Sequence, residues 1–458
     1  MADQYQTINP ATGQVIDTYP AMSKETIDQT LQMLKSGQHQ WHLAGLDHRI
    51  QAVRSIEKQL RDHTETYAQL MTQEMGKPIA QSRAEVEKCA FLCDFYANQA
   101  PEWLASEKID YEGLNAERVI DPLGVIYVIM PWNFPFWQVF RALIPNLLLG
   151  NAFILKHAEN VIGCANMIEK IVANAVPHYH VMKSIVIDLS LSDYIIKHDD
   201  VAAVTLTGSN RAGSAVAKAA GEVCKKSVME LGGSDPYIIR EDADIEYAAK
   251  TCVQTRLMNA GQVCISPKRL IVDHKIKDDF EKAVIEQIKQ VKVGDPTDEA
   301  NDMGPMARQD LLETLDKQVQ NSVDQGAKLV LGGEKLEGDG VYYAPTLLTD
   351  VKPGMDAFDQ ELFGPVLTII ESEDDKHAIE LANQSPFGLG SGIFSQDVDY
   401  AHRIAQHCIQ AGMCFVNKCV GSHPALPFGG VKQSGYGREC SIEALRELAN
   451  VKTVLIND

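Results

Sequence analysis

The spacing of apolar residues in the first hundred positions is typical of amphipathic helices. Apolar side chains recur every three or four residues along 47–75 and again along 79–98. Ser23 can cap a helix that begins at Lys24, because its hydroxyl can accept a backbone N–H of the first turn. The segment 76–78 (GKP) is expected to end the helix over 47–75, since glycine and proline both disfavour its continuation. The pattern therefore predicts three helices.

Short apolar runs separated by periodic segments follow from residue 125 onwards. The predicted strands cover 125–130, 152–155, 184–188, 203–207, 227–230, 269–273, 366–371, 392–395 and 413–416. The predicted helices cover 136–149, 161–175, 210–220, 245–258, 276–291, 375–383 and 398–408. Such alternation predicts parallel sheets with helices on both faces, in two α/β domains that are joined near 230–236.

Length and charge narrow the class of protein. A chain of 458 residues predicts two or three domains, since a domain has about 100–200 residues. The net charge of −20 argues against nucleic-acid binding, which requires a basic face. The polar N-terminus is unlike a signal peptide, and no apolar run reaches the length of about 18 residues that a membrane helix needs. A cytoplasmic protein that binds neither nucleic acid nor membrane is expected.

Ten cysteines are spread along the chain from Cys89 to Cys440. Disulfides are not expected in a long chain without a signal peptide. No pair has the CxxC spacing of zinc sites, and no nearby His completes a ligand set around Cys89 and Cys93. We therefore expect no metal site, and we expect most of the cysteines to pack as small apolar side chains.

One cysteine stands in a context that suggests reactivity. Cys264 ends the segment NAGQVC over 259–264, where a helical stretch gives way to a glycine. A nucleophilic cysteine needs exposure and a nearby charge or dipole that lowers its pKa. Taken by itself, the segment favours the simpler alternative that Cys264 is a core side chain.

Two polar side chains follow apolar strands. Glu230 ends the strand over 227–230 and precedes two glycines, and carboxyl ends of strands are where α/β folds place their sites. Asn133 lies between two prolines in PWNFP over 131–135, which fixes the direction of its amide as an oxyanion hole requires. A solvated glutamate and an ordinary proline-rich turn are the simpler alternatives.

Two glycine-containing segments are candidate sites of close backbone approach. Gly208 and Ser209 link the strand over 203–207 to a helix, and helix N-termini bind phosphates. Neither GxGxxG nor a P-loop lysine is present, so a dinucleotide turn and a plain strand–helix connection both stay open. The glycine-rich segment 427–439 suits either a tight loop or a flexible surface loop.

Six segments together resemble the aldehyde dehydrogenase superfamily. They are PWNFP, TGS, MELGG, NAGQVC, ELFGP and PFGGVKQSGYGRE, and the resemblance extends over nearly the whole chain. Among the branches of this superfamily, the chain is most similar to the short bacterial NAD(P)-dependent succinate-semialdehyde dehydrogenases. The resemblance implies an α/β fold with a Rossmann-type cofactor domain, an α/β catalytic domain and a small β arm for oligomerisation.

The resemblance also implies domain bounds and an assembly. It assigns 1–110 and 124–229 to the cofactor-binding domain and 230–435 to the catalytic domain. It assigns 111–123 and 436–458 to the oligomerisation arm. Members of the superfamily are typically dimers or tetramers, so a homodimer or homotetramer is expected.

Three catalytic roles follow from the resemblance. Cys264 corresponds to the nucleophile that attacks the aldehyde carbonyl. The Asn133 amide and the backbone N–H of Cys264 correspond to the oxyanion hole, and Glu230 to the base that activates water for hydrolysis of the thioester. Acyl chemistry needs these three kinds of group. Since CoA-acylating relatives typically lack the glutamate, water is the expected acceptor.

The resemblance implies a nicotinamide cofactor and the residues that contact it. They are Lys156 and Glu159 at the adenosine ribose, Gly208 and Ser209 at the pyrophosphate, Glu361 at the nicotinamide ribose, and Trp132, Leu231 and Phe363 at the nicotinamide end. A carboxylate at Glu159 can accept hydrogen bonds from a ribose 2′-hydroxyl but repels a 2′-phosphate. NAD is therefore the expected cofactor, with NADP as the second choice.

The prediction of the substrate depends on Arg141. It lies eight residues after Asn133, where succinate-semialdehyde dehydrogenases place an arginine for the substrate carboxylate. An ion-pair or surface arginine on the helix over 136–149 is the alternative. A second arginine of some relatives is Met258 here, and the rim reads HPALPFGG instead of DPRLPFGG. Succinate semialdehyde is the expected substrate, and a broad specificity for aliphatic or aromatic aldehydes is the alternative.

Overall fold

A computed structural model describes residues 4–456 of the chain. Its α-helices, in chain order, are α1 (Lys24–Leu43), α2 (Leu46–Asp62), α3 (Thr64–Met75), α4 (Ile79–Trp103), α5 (Trp137–Leu149), α6 (Ile162–Ala175), α7 (Ser192–Lys197), α8 (Asn210–Glu222), α9 (Ile245–Leu257), α10 (Lys277–Lys289), α11 (Gln309–Asp324), α12 (Asp356–Asp359), α13 (Asp375–Asn383), α14 (Val398–His407) and α15 (Glu443–Glu447).

The strands form four sheets. In chain order they are β1 (Gln4–Ile8), β2 (Val15–Pro20), β3 (Glu107–Tyr111), β4 (Leu114–Pro122), β5 (Val125–Met130), β6 (Ala152–His157), β7 (Met182–Ser184), β8 (Val201–Thr207), β9 (Lys226–Glu230), β10 (Pro236–Ile239), β11 (Arg269–Asp273), β12 (Lys328–Leu331), β13 (Thr346–Thr349), β14 (Val366–Ser372), β15 (Gly392–Phe394), β16 (Phe415–Val416), β17 (Gly435–Tyr436) and β18 (Ala449–Leu455).

The first large sheet has the strand order of a dinucleotide-binding fold. Its order is β17-β9-β8-β5-β6-β7, and all neighbours are parallel except β17 and β9. The chain starts in the middle at β5, runs outward through β6 and β7, and returns to the other side of β5 at β8. Ligands bind at the carboxyl ends of the strands where the order reverses. The turns that follow β5 and β8 lie at this point.

The second large sheet is also mostly parallel. Its order is β12-β13-β14-β11-β10-β15-β16, with an antiparallel pair only between β12 and β13 among the described strands. Its inner strands, such as β11 and β13, are buried at every residue, as expected of strands that are covered on both faces. The resemblance to a mixed α/β fold with a Rossmann-type sheet is confirmed.

A three-stranded antiparallel sheet extends from the body of the molecule. It has the order β18-β4-β3, and its pairs include Val451 with Ile120 and Ile109 with Ala116. Large apolar side chains stay exposed on it, among them Leu455 at 59%. All of β3 except its last residue, Tyr111, falls in 1–110, which the sequence assigned to the cofactor domain. The domain bounds stay a prediction.

The helix α5 lies in the interior over its whole length. All its residues are buried, because it packs against α4, α2 and α15 as well as the first sheet. A helix that is apolar on every side is expected in such a position. Gln138 and Arg141 are therefore polar side chains carried into the core by an apolar helix.

The prediction of one helix over 47–75 is wrong, because two helices meet at His63. Its φ of −124° and ψ of 23° are not helical. The hydroxyl of Thr64 donates to the carbonyl of Leu60 over 2.9 Å, and such local bonds compete with the helical pattern. The apolar spacing continues across the break, so it carried no signal of the interruption.

Other differences concern short or polar elements. The predicted strand over 184–188 is shifted, because β7 ends at Ser184, and the carbonyl of Val186 accepts the backbone N–H of Met22 instead. The predicted elements did not include the strands β1, β2, β3, β10, β12, β13 and β17 or the helices α7, α11, α12 and α15. The Ser23 cap is confirmed, since its hydroxyl accepts the N–H of Thr26 over 3.3 Å. In the described part of the chain, we find no helix with the length and apolarity of a membrane span.

Candidate active site

A strained turn presents Cys264. After α9 ends, Asn259, Ala260 and Gly261 have φ values of 54°, 51° and 71° in succession. Left-handed non-glycine residues are uncommon and tend to occur at functional sites. Gly261 has no room for a side chain, because a Cβ there would lie 2.1 Å from the carbonyl oxygen of Gly364. The turn therefore depends on close contact between the NAGQVC and ELFGP segments.

Arg256 holds these two segments together. Its buried guanidinium donates to the carbonyls of Gly261 at 2.8 Å and Leu362 at 2.6 Å, to the Ser266 hydroxyl at 2.8 Å and to the Val366 carbonyl at 2.8 Å. Sequence reasoning missed this residue, because an arginine near the end of an amphipathic helix normally faces solvent.

Burial and nearby positive charges have opposite effects on the pKa of the Cys264 thiol. Burial raises the pKa of the Cys264 thiol to about 12, while the positive charges of Lys268 and Arg141 lower it. Lys268 also donates to the backbone carbonyl of Cys264 over 2.6 Å. A lysine four residues after the nucleophile was a signal that sequence reasoning left unused.

The amide of Asn133 is fixed beside the nucleophile segment. Its Nδ2 donates to the backbone carbonyl of Gln262 over 3.0 Å, and the backbone carbonyl of Asn133 accepts Nδ2 of Asn259 over 2.8 Å. Asn133 is 3% exposed. The turn between the two prolines thus orients the amide towards the strained turn before Cys264.

A cavity of about 240 Å³ brings most of the predicted cofactor residues together. The predicted residues that line it are Trp132, Asn133, Gly208, Ser209, Leu231, Cys264, Glu361 and Phe363. Thr207, Gln138 and Leu311 line it too and were missed. We call this space the cofactor cavity. It lies at the carboxyl ends of β5 and β8, where the strand order reverses.

The residues at the start of α8 suit a pyrophosphate. Ser209 caps this 13-residue helix by accepting the N–H of Ala212 over 3.4 Å. The nearest atom to a Cβ on Gly208 would be Leu206 Cδ2 at 3.6 Å, so the turn leaves open space above it. Among the described residues, the buried hydroxyl of Thr207 has no hydrogen-bond partner. Free donors at a helix N-terminus fit a nicotinamide dinucleotide.

Lys156 lies near the carboxyl end of β6, and Glu159 follows shortly after that strand. Their charged groups are 4.0 Å apart. Burial lowers the pKa of Lys156, and the neighbouring Arg308 lowers it further. Neither residue is part of the cavity lining. The structure thus places two cations and one carboxylate where the sequence predicted an adenosine ribose.

Glu361 is held by Lys268 at the inner end of the cofactor cavity. Its Oε1 lies 3.2 Å from Lys268 Nζ and accepts the N–H of Gly233 over 3.2 Å. The ring of Phe363 meets that of Trp132 edge to face, with centroids 5.7 Å apart. These contacts link the ELFGP segment to the PWNFP turn.

A second cavity, of about 210 Å³, lies on the other side of Cys264. Its lining includes Lys88, Trp137, Arg141, Ser422 and Phe428. We call it the substrate cavity. Cys264 and Gln138 line both cavities. Cys264 therefore borders both a space suited to a cofactor and a space suited to a second small molecule.

Arg141 projects from α5 into the wall of the substrate cavity. It forms a buried ion pair with Glu439, and its guanidinium carbon lies 4.2 Å from the ring centroid of Phe428. Its Nη2 has no hydrogen-bond partner in the described part of the chain. The alternative of a surface arginine is excluded by burial, whereas an ion pair is present.

Glu230 lies at the end of β9, but its side chain is in neither cavity lining. It is 2% exposed, and its Oε1 lies 2.6 Å from where a Cβ on Gly429 would be. Neither carboxylate oxygen has a hydrogen-bond partner within residues 4–456. Burial and the nearby Glu439 raise the pKa of Glu230 well above its usual value, while Arg141 and Arg438 lower it.

Comparison with known proteins agrees with this geometry. The sequence model described as the aldehyde dehydrogenase family matches residues 1–454. The chain is 45% identical to the succinate semialdehyde dehydrogenase [NAD(P)+] Sad of Escherichia coli, over 98% of this chain and 97% of that protein. It is 40% identical to the succinate-semialdehyde dehydrogenase [NADP(+)] of Mycobacterium avium, over 98% and 96%.

A solved structure also has the same fold as this chain. It is the succinic semialdehyde dehydrogenase from Streptococcus pyogenes in complex with NADP+ as the cofactor. It superposes with a TM-score of 0.97 at 35% identity, over 99% of this chain and 100% of that chain.

Proposed function

Because the chain belongs to the aldehyde dehydrogenase family, we propose that it oxidises succinate semialdehyde to succinate with a nicotinamide cofactor. One observation carries the proposal: Cys264 lines both cavities, so an aldehyde can reach its sulfur from one side and a cofactor from the other. The choice of aldehyde is supported by the names of the relatives from E. coli, M. avium and S. pyogenes.

The covalent step uses Cys264 and Asn133. The thiolate attacks the carbonyl carbon, and the carbonyl oxygen becomes an oxyanion bonded to the former aldehyde carbon. The Asn133 amide and the Cys264 backbone N–H donate hydrogen bonds to this oxyanion. A bound nicotinamide supplies the hydride acceptor for the oxidation of this adduct to a thioester.

Hydrolysis of the thioester is assigned to Glu230. Its carboxylate accepts a proton from water while the water oxygen attacks the thioester carbon, and the Cys264 thiolate leaves as the acid is released. This role requires the Glu230 side chain to turn from Gly429 towards Cys264. Support comes from its position at the end of β9, directly before the cavity-lining Leu231.

The cofactor role is assigned to the residues of the cofactor cavity together with Lys156 and Glu159. Glu159 favours NAD, because its carboxylate can accept a hydrogen bond from a 2′-hydroxyl and repels a 2′-phosphate. Lys156 and Arg308 bring positive charge close to Glu159, so NADP is accepted as the second cofactor. The names of the relatives include both NAD(P)+ and NADP+.

The carboxylate of the substrate is assigned to the substrate cavity, where Arg141 is part of the wall. Its unpartnered Nη2 supports this role. The pair with Glu439 offsets much of its charge, so a broad specificity for aliphatic or aromatic aldehydes is the second candidate.

Steady-state kinetics test the proposal. We expect kcat/KM for succinate semialdehyde to exceed that for butanal by about tenfold or more, because an arginine pairs strongly with a carboxylate. We expect NAD to give the higher kcat/KM of the two cofactors. Cys264→Ser should abolish turnover, and the exposed Cys224→Ser is the matched control. Equal values for the two aldehydes would support broad specificity instead, and a preference for NADP would contradict the assignment to Glu159.

A further inference from the structure

Lys88 brings a positive charge into the substrate cavity from α4. Its ammonium donates to the hydroxyl of Ser422 over 2.6 Å and lies 4.1 Å from the ring centroid of Trp137. All three residues line the cavity that Cys264 also lines. The ammonium is therefore held in place by a neutral hydroxyl and an aromatic face.

The other charged groups of the cavity wall already have partners. The carboxylate of Glu85 pairs with the buried Lys77 and accepts the backbone N–H groups of Phe136 and Trp137, each over 2.9 Å. Arg141 pairs with Glu439. Within residues 4–456, no carboxylate lies within ion-pair distance of the Lys88 ammonium. The substrate cavity thus carries one uncompensated cation.

An unpaired cation in a poorly solvated position is costly for the folded protein. Burial accordingly lowers the pKa of Lys88 to about 8. A ligand with a negative charge would remove this cost, because an opposite charge nearby favours the ammonium form. The cavity is thus suited to a small anion whose other end reaches Cys264.

We propose that Lys88, together with Ser422, binds the carboxylate of the aldehyde substrate and selects for aldehydes with a terminal negative charge. This inference rests on the proposed function and names the residue that determines its specificity. The charge of Arg141 is largely balanced by its ion pair with Glu439, so Lys88 supplies the positive charge for the substrate. The unpartnered Nη2 of Arg141 can donate a hydrogen bond to the same substrate carboxylate.

Substitution of Lys88 tests the inference. In Lys88→Met the ratio of kcat/KM for succinate semialdehyde to kcat/KM for butanal should fall by about ten- to a hundredfold, mainly through KM. Lys88→Arg should restore part of the ratio, because it keeps the charge. Arg83→Met is the matched control, since Arg83 lies on the same helix but pairs with Glu65 and Glu299 at the surface. The control should leave the ratio unchanged.

The possible results separate the two proposals. If the wild-type enzyme does not prefer succinate semialdehyde, the proposed substrate and the role of Lys88 fall together. If the wild-type enzyme prefers it and Lys88→Met keeps the same ratio, the role of Lys88 alone is overturned. An equal loss for both aldehydes leaves the ratio unchanged and overturns it in the same way, because Lys88 would then not discriminate between the two substrates.

The pH dependence gives a second readout. The charged or titratable groups that face Lys88 are Glu85 and Cys89 on α4, Arg141 on α5, and Cys440. With a pKa lowered to about 8, free Lys88 is charged below that pH and neutral above it. The ratio of KM for succinate semialdehyde to KM for butanal should therefore increase when the pH is raised beyond about 8. Butanal is the reference because its oxidation uses the same Cys264 and Glu230. In Lys88→Arg this relative rise should disappear, and its persistence there would contradict the proposal.

Discussion

Cys264 and Glu230 are both acids whose neutral forms are favoured by burial. The pKa of the Cys264 thiol is raised to about 12, and that of the Glu230 carboxyl is raised well above its usual value. Each has cations nearby that act in the opposite direction, with Arg141 close to both. The two groups thus share an electrostatic environment. A ligand that changes the charge near Arg141 will change both pKa values.

Glu230 gives the first prediction at this scale. In Glu230→Gln, the first turnover should release about one equivalent of reduced cofactor per site, because the covalent step does not need the base. Steady-state kcat should fall by about 10²–10⁴-fold, the contribution of general base catalysis. Stopped-flow absorbance of the reduced cofactor measures both phases. Glu222→Gln, at an exposed ion pair, is the control. A normal steady-state kcat in Glu230→Gln would exclude this role.

The wild-type pH profile follows from the same residue. A carboxyl group acts as a base only above its pKa, and burial raises that of Glu230. Where hydrolysis limits the rate, kcat should therefore increase with pH beyond the range in which ordinary glutamates titrate. A kcat that is already constant from pH 5 upwards would contradict this expectation.

At the scale of elements, the active site depends on loops rather than on the strands they join. The turn before Cys264 follows α9 and the ELFGP segment precedes β14, and Arg256 ties them together through backbone carbonyls. The helix α5 carries Arg141 into the core, and α4 brings Lys88 to the lining of the same cavity. The two helices α5 and α4 each contribute one charged side chain, and the partners of these side chains, Glu439 and Ser422, lie far away in sequence.

Gly261 provides the prediction at this scale. Gly261→Ala should destabilise the protein by about 2–4 kcal/mol, because the alanine needs a left-handed φ and its Cβ would overlap the Gly364 carbonyl. Urea unfolding measures the change, and activity should fall with it. Gly221→Ala is the control, since no atom lies within 4 Å of a Cβ there and alanine favours the helix. Unchanged stability of Gly261→Ala would show that the turn can relax.

At the scale of the whole molecule, the outer strands β3 and β18 of the three-stranded sheet have mostly exposed side chains. The exposed apolar side chains on it include Tyr111, Val451, Leu455 and Ile456. Monomeric proteins rarely expose large contiguous apolar patches, and such patches mark interfaces. We propose that this sheet is the arm through which the chain forms a homodimer or homotetramer.

Substitution of exposed apolar residues tests whether the three-stranded sheet forms the interface between subunits. The double variant Val451→Asp with Leu455→Asp should give a smaller assembly than the wild-type chain in light scattering coupled to size exclusion, because a buried unpaired charge is costly. Val398→Asp, an equally exposed apolar residue at the start of α14, is the control and should leave the mass unchanged. A monomeric wild-type chain, or an unchanged mass of the double variant, would contradict the proposal.

Regular elements were predictable where burial on both faces left continuous apolar runs. The strands β5 and β11 have the predicted bounds, and α13 does as well. The break at His63 and the short strand β10 were missed, because a hydroxyl that bonds the backbone and a four-residue strand leave the apolar period unchanged. Motif order proposed the cofactor residues as a group, and most of them line one cavity, but their role as cofactor contacts stays a prediction.

The amino-acid sequence by itself determined the fold class and singled out the candidate site residues, because apolar periodicity and short motifs are local properties of the chain. The tertiary structure decided which charges have partners. Arg141 meets Glu439 and Lys88 meets Ser422 across hundreds of positions, while Arg256 joins two loops. A charge pairs according to distance in space, which periodicity does not report. Whether a cation in the cavity is free to bind a substrate is therefore a property of the folded chain alone.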